Sequence, residues 1–249
     1  TGEDTLSLHD ALPICTLTPG LTGGTFSGPG ITGNVFSPSA AGAGTHVINY
    51  NSGCSQYSLS TAPYFTLTTA GTPVSLGDDQ VSSVLPIGFT FTFFCNTYTS
   101  FYISSNGFIT FSNNTNSGCC QGEAMPTNNT SYPYDLIAYA WTDLYPPAGG
   151  SITYTTIGTA PSRTLLVSFN AINHYNSSSY CCPITAQIRL FETTNIIEIH
   201  TTTKPLPTNT YNTTMGIMNS AASIAYPVAG RNSTATWTAT NECQRWTPA

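Results

Sequence analysis

The chain has 249 residues, 40% hydrophobic and 12% aromatic, which is enough apolar surface for one large or two modest packed modules and excludes a disordered polymer. Only 6% are charged, with five Lys and Arg in all and a net charge of −6, so no basic stripe exists to meet nucleic-acid phosphates or an anionic membrane. Thr, Ser, Asn and Gly do the solvating, a balance that points to an exported β protein, because typical soluble domains carry about a quarter charged residues.

Thr5 to Ile14 reads TLSLHDALPI, which coincides throughout with one reading frame of a sequencing-library adapter. Residues 1–14 are therefore expected to be foreign and are set aside from fold reasoning. The first residues lack the basic start and apolar stretch of a signal peptide, which leaves a trimmed precursor or a fragment as the expectation. Residues 15–54 follow as short apolar runs punctuated by Gly and Pro, and the last run, Thr45 to Tyr50, alternates as a strand does. Phe36, Pro38, Ala41, Gly42, Gly44, Thr45, His46, Ile48 and Tyr50 fall in the spacing F-x-P-x-x-A-G-x-G-T-H-x-I-x-Y. This resembles the closing half of the immunoglobulin-like repeats in large secreted proteins of Bacteroidetes. The resemblance implies a partial sandwich with poor packing and open strand edges.

Strand signals become dense over residues 55–249. Ile87 to Phe94 places Ile87, Phe89, Phe91 and Phe93 on one face, the period-two pattern of a half-buried strand. Phe101 to Phe111 reads as a hairpin turning at Asn106-Gly107, the pair favoured by a type I′ turn. That turn sets Ser105 against Phe108, Ile103 against Thr110 and Tyr102 against Phe111. A second hairpin turns at Thr193-Thr194 and pairs Leu190 with Ile197, Ile188 with Ile199, and Arg189 with Glu198 as a solvent-side ion pair of small worth. Further strands are predicted at Leu136 to Trp141, Ser151 to Ile157, Thr164 to Phe169, Met215 to Asn219 and Thr234 to Ala239. No 3.6-residue stripe is sustained, so the fold class is all-β: a two-sheet antiparallel β-sandwich preceded by a partial immunoglobulin-like remnant.

The order GDDQVSSVLPIGFTFTFF, YTSFYISSNGFITF, LIAYAWTDLYPPAGGSITY, RTLLVSFNAINHY, TAQIRLFETTNIIEIH resembles a nidogen-like module of bacterial surface proteins. The resemblance covers residues 55–249. It implies an extracellular or cell-surface setting within a large multi-module protein, and a noncatalytic adhesion or scaffold role. Two other roles are weighed: a filament subunit assembling by strand addition, and a carbohydrate-binding module.

The candidate chemistry is sparse. No G-x-S-x-G, H-E-x-x-H or C-x-x-C pattern occurs, and carboxylate pairs alone do not define a glycosidase, so no catalytic residue is assigned. His46 belongs to the immunoglobulin-like strand, His174 to a loop after Phe169, and His200 to the outer face of a hairpin. Asp78 and Asp79, adjacent in a loop after Gly77, read first as an Asx-type turn entering the strand, and are also the candidate ligands for calcium, the one cofactor weighed. Tyr132, Tyr134, Tyr139, Trp141 and Tyr145 gather around Asp135 and Asp143. Of these, Tyr139, Trp141, Asp143 and Tyr145 are the candidate ligand-binding residues, with Tyr139 and Trp141 expected on one strand face, where core or sheet surface is the first reading and a ligand platform the second. Cys54, Cys95, Cys119, Cys120, Cys181, Cys182 and Cys243 are disulfide candidates of open connectivity, and Cys15 falls next to the adapter-like segment. The expected partner is a glycan or protein surface, with self-association through strand edges as a further route. Nucleic acid and membrane insertion are not expected, since no apolar run reaches about 18 residues.

Overall fold

The computed structural model describes residues 14–18, 25–51, 56–113, 115–176 and 180–249. The adapter-like segment apart from Ile14, and Cys54, lie outside them. Two compact units divide the chain, residues 1–56 with 249, and 57–248.

The first unit holds short strands β1 (Cys15–Thr16), β2 (Thr25–Ser27), β3 (Ile31–Thr32), β4 (Val35–Phe36) and β5 (Asn49–Asn51), with one helical turn at Pro38–Ala41. They form two small sheets, in the orders β1-β4-β3 and β2-β5. The alternating Thr45 to Tyr50 run becomes a strand only from Asn49. No described residue of this unit is buried.

The second unit contains β6 (Tyr57–Ala62), β7 (Thr72–Val74), β8 (Leu85–Phe93), β9 (Asn96–Ser104), β10 (Phe108–Thr110), β11 (Leu136–Trp141) and β12 (Ser151–Ile157). It continues with β13 (Thr164–His174), β14 (Cys181–Phe191), β15 (Ile197–Lys204), β16 (Thr214–Met218), β17 (Ala225–Pro227) and β18 (Ala239–Pro248). A six-stranded sheet, β17-β16-β11-β10-β9-β8, faces a seven-stranded one, β6-β18-β15-β14-β13-β12-β7, and the pairings are antiparallel. This is the expected two-sheet sandwich. Ile87, Phe91 and Phe93 from β8 enter one core with Val167 and Phe169 from β13 and Ile188 and Ile199 from β14 and β15. Each such fully buried side chain contributes about 1.5–3 kcal/mol.

Three departures from the sequence reading bear on the site. The β9–β10 register is Ser104 to Phe108, Ile103 to Ile109 and Tyr102 to Thr110, one residue away from the expected pairing. A three-residue loop, Ser105 to Gly107, replaces the two-residue turn, and of its residues only Gly107 has a positive φ, +86°. The cause is Asn106, whose side chain is fully buried and committed elsewhere. Gly107 is required: a Cβ there would lie 2.0 Å from the Ala140 carbonyl oxygen.

The second departure is a bulge in β11. Tyr139 and Ala140 both donate their N–H to the Gly107 carbonyl, at 3.1 and 3.2 Å, so both side chains enter the inter-sheet core. Trp141 is thereby turned to the opposite face, where it packs with Phe108, Leu136, Met125 and Met218 in a second core. Tyr139 and Trp141 do not share a face.

The third concerns the outside of the seven-stranded sheet. The second hairpin has the expected register, Arg189 opposite Glu198, although its ladder stops at Phe191 and leaves a loop from Glu192 to Asn195. The pair is not on the solvent side: Arg189 is 0% and Glu198 2% exposed. The segment Pro63 to Ala70 lies across them. Leu67 and Gln187 exchange hydrogen bonds of 3.1 and 2.7 Å, and the Tyr64 hydroxyl donates to Thr202 at 2.8 Å. Elsewhere, the predicted strand Thr234 to Ala239 is not formed. Thr234 makes one bridge to Thr213, and Trp237 folds over the Lys204 ammonium, 4.5 Å from the ring centroid, so the closing strand starts at Ala239.

Candidate functional site

Three loops meet at the β9–β10 end of the six-stranded sheet. Gln80 exchanges two hydrogen bonds with Ser105: its N–H donates to Ser105 Oγ at 3.0 Å and its carbonyl accepts the Ser105 N–H at 2.8 Å. Asn106 then ties the other two loops together. Its Nδ2 donates to Asp79 Oδ1 at 2.7 Å, and its Oδ1 accepts the Leu144 N–H at 2.9 Å. Asp78, Asp79 and Asp143 consequently each present a carboxylate oxygen within 4.8 Å of the other two.

Asp78 and Asp79 are exposed, and Asp143 is only 3% exposed. The Asp143 carboxylate accepts no hydrogen bond among the described residues. Burial, then the charges of Asp79 and Asp78, push its pKa up to about 7. Asp78 is raised as well, first by burial and then by Asp79, while the Asp79 backbone N–H acts against the shift. Asp78 and Asp79 are the two turn residues of that loop, so two of the three carboxylates come from the turn itself.

An aromatic rim adjoins the corner. The Tyr175 N–H donates to the Asp143 carbonyl at 3.0 Å, and the Tyr145 N–H to the Asn173 carbonyl at 2.8 Å. Tyr145 stacks on Tyr180 with centroids 4.4 Å apart and planes 11° from parallel, and Tyr175 meets both rings edge-on. Tyr180 remains 46% exposed.

Of the residues predicted for ligand binding, Asp143 and Tyr145 come together here. Tyr139 and Trp141, 1% and 0% exposed, offer no surface to a ligand, so their candidacy for ligand binding is corrected and the core reading of the two holds. Asp135 stands at the other end of β11. It accepts a 2.8 Å hydrogen bond from the Tyr98 hydroxyl, and burial pushes it up to about 6. Sequence reasoning missed Asn106, which the Asn-Gly turn rule had absorbed, and Tyr175 and Tyr180, which no local pattern marked.

A second cluster lies under the Pro63 to Ala70 strap. The Glu198 carboxylate accepts from Arg245 Nε at 2.7 Å and lies 2.8 Å from His200 Nε2, which is also 3.4 Å from Cys243 Sγ. Burial alone would raise Glu198, but His200 and Arg245 hold it below the usual carboxylate range. Glu198, His200 and Cys243 could ligate a metal by proximity. The hydrogen bonding argues otherwise: the Phe65 N–H donates to His200 Nδ1 at 3.4 Å, so the proton sits on Nε2 and faces Glu198. Nor is this a nucleophile relay, since acid and thiol meet the same ring nitrogen and burial pushes the Cys243 thiol up to about 12.

Cys119–Cys120 and Cys181–Cys182 are disulfides between chain neighbours, and Cys95 is disulfide-bonded. Cys243, expected in a disulfide, is a buried free thiol, and Cys15 is free and exposed. His174 is not in a loop but buried in β13, with Nδ1 2.7 Å from the Cys182 carbonyl. His46 Nε2 lies 2.9 Å from the Gly42 carbonyl. No helix among the described residues is long and apolar enough to cross a membrane.

The fold and the motif order define a nidogen-like β-sandwich. The family described as NIDO related matches residues 56–249, and the chain belongs to that family. No curated protein and no solved structure matches the chain.

Proposed function

We propose that the chain is a noncatalytic extracellular adhesion module that holds a glycan against the Tyr145, Tyr175 and Tyr180 rim. The stacked Tyr145–Tyr180 pair, set beside carboxylates and partly open to solvent, carries this reading. Aromatic faces cover the apolar faces of sugar rings, and adjacent acids accept hydrogen bonds from sugar hydroxyls. The vicinal disulfides and the low content of charged residues favour an exported setting, on the cell surface or outside it.

Glycoside hydrolysis is the rival, because Asp143 has the raised pKa of a general acid. The two carboxyls of a glycosidase stand about 5–5.5 Å apart in retaining enzymes and about 6.5–9.5 Å in inverting ones. Here Asp143 is 3% exposed, which gives a glycosidic oxygen little access to the one carboxyl whose pKa would suit a general acid. A glycan array comparing the intact chain with Tyr180→Ala and Tyr145→Ala tests the proposal. Binding at least about tenfold weaker in both variants, with unchanged circular dichroism, is the expected result. Equal binding by all three proteins, or none by the parent, would overturn it. So would glycoside turnover lost in Asp143→Asn.

A further inference from the structure

We infer that Asp78, Asp79 and Asp143 form a calcium-binding site. An acidic loop alone would not justify this, since exposed carboxylates repel one another cheaply in water. Asp143 is what sets the corner apart. It is 3% exposed, its carboxylate has no hydrogen-bond donor among the described residues, and it points at two further carboxylates within 4.8 Å. A carboxylate buried in that condition is costly in its charged form unless a proton or a cation joins it, and a cation can serve all three carboxylates at once.

Among the described residues no Lys or Arg side chain supplies that cation. All five Lys and Arg residues are engaged elsewhere: Arg163 with Glu192, Arg231 with Glu242 and Arg245 with Glu198. Arg189 donates to the Phe65 carbonyl and to Gln187, and Lys204 to the Trp237 carbonyl. His174, the histidine nearest in sequence to Tyr175, is buried with its pKa lowered to about 4 and is neutral at pH 7.

The donor set selects the ion. Three carboxylates offer hard oxygens with no nitrogen or free sulfur, since Cys119 and Cys120, which also approach Asp79, are joined in a disulfide. Calcium takes six to eight oxygens in irregular geometry, accepts bidentate carboxylates, and draws its remaining ligands from water on the open Asp78–Asp79 side. Magnesium demands a near-ideal octahedron and suits this mixed buried and exposed corner less well. Asn106 acts as the orienting outer-shell group: by donating to Asp79 Oδ1 it fixes that carboxylate and leaves Oδ2 to the ion.

The site shares its carboxylates with the glycan reading, whose tyrosine stack it does not use, and metal binding is read with no glycan present, so either can fail alone. Titration of the full chain with Tb³⁺, read as luminescence sensitised by the neighbouring tyrosines, gives the first measurement. Calcium is then used to displace it, and isothermal titration gives the calcium affinity. The expected result is one calcium with a Kd of about 10⁻⁴–10⁻³ M, as in extracellular modules. Asp143→Asn should weaken it at least about tenfold. Asp78→Asn, an exposed substitution with little bearing on folding, should weaken it as well, and Glu192→Gln should leave it unchanged. Absence of Tb³⁺ and calcium binding, unaltered affinity in both aspartate variants, or displacement by magnesium as effective as by calcium would overturn the assignment.

Discussion

Two groups of ionisable side chains in the sandwich follow opposite plans. Under the Pro63 to Ala70 strap, Glu198 receives both Arg245 and His200, and Arg189 is capped by the Phe65 carbonyl, Gln187 and the Phe65 ring at 4.3 Å. In the corner, Asp78, Asp79 and Asp143 meet one another and the Asn106 amide. The first group sits on consecutive strands, with Arg189 opposite Glu198 and Glu198 opposite Arg245. Register brings Arg245 and Glu198 together as an ion pair, while Arg189 keeps Nη2 bonded and leaves Nε and Nη1 without a hydrogen-bond partner among the described residues. The second is assembled from three loops and delivers like charges to one place. Charge matched within the chain supports the fold, and the charge left unmatched is where we place the proposed calcium.

The largest expected effect breaks the matched group. Glu198→Ala strands the buried His200 and leaves Arg245 without its carboxylate, which should lower the free energy of unfolding by about 3–5 kcal/mol. Urea denaturation measures it. A loss below about 1 kcal/mol would put this cluster among ordinary surface pairs and dissolve the contrast.

The same kind of substitution in the corner should act with the opposite sign. Asp143 titrates at about 7 in the folded chain against an ordinary 3.8, so the fold binds its proton more tightly than the unfolded chain does. Stability from this group is therefore fully present below about pH 4 and is lost as the pH rises to about 7. Without calcium, Asp143→Asn should gain about 2–3 kcal/mol at pH 8 and flatten the upper part of the fall. Asp135, raised to about 6, keeps a smaller decline between about pH 4 and 6 in the variant. Thermal unfolding across pH 4 to 8 checks both statements, and a destabilised Asp143→Asn at pH 8 would show that the carboxylate has a partner after all.

The sandwich and much of its pairing were legible in the sequence, because alternation and cross-strand chemistry are local. Ile87, Phe89, Phe91 and Phe93 could have only one inward face, and the Arg189 to Glu198 register followed from counting back from the turn. Burial of that pair was not legible, since it depends on a strap from Pro63 to Ala70 that reads as an irregular threonine-rich loop. The β9–β10 turn was misread for a related reason. The Asn-Gly rule treats the asparagine side chain as free, whereas Asn106 is held by Asp79 and Leu144, far apart in the sequence. The Trp141 face was lost to a bulge imposed by the Gly107 carbonyl, which no period-two count can foresee. Asp78, Asp79 and Asp143 were each singled out, and only the tertiary fold makes them one group.

The smallest expected effect sharpens the matched side of the comparison. If Cys243 were a metal ligand with Glu198 and His200, Cys243→Ala would abolish metal-dependent stability, and chelators would destabilise the parent chain. The hydrogen bonding assigns it a different part. His200 uses Nε2 toward Glu198 and Nδ1 toward the Phe65 N–H, so neither nitrogen is left for a metal without giving up a contact. The thiol, 1% exposed and pushed up to about 12, is then a small apolar group filling space beside the ring. Cys243→Ala should cost about 1 kcal/mol, the scale of a lost buried methylene-sized group, and zinc or EDTA should not move the unfolding midpoint of either protein. In the native chain Cys243 should resist maleimide labelling until urea unfolds it, while Cys15 reacts at once. Rapid native labelling of Cys243 would mean that the strap opens readily, and the matched cluster would then be a surface feature held shut only part of the time.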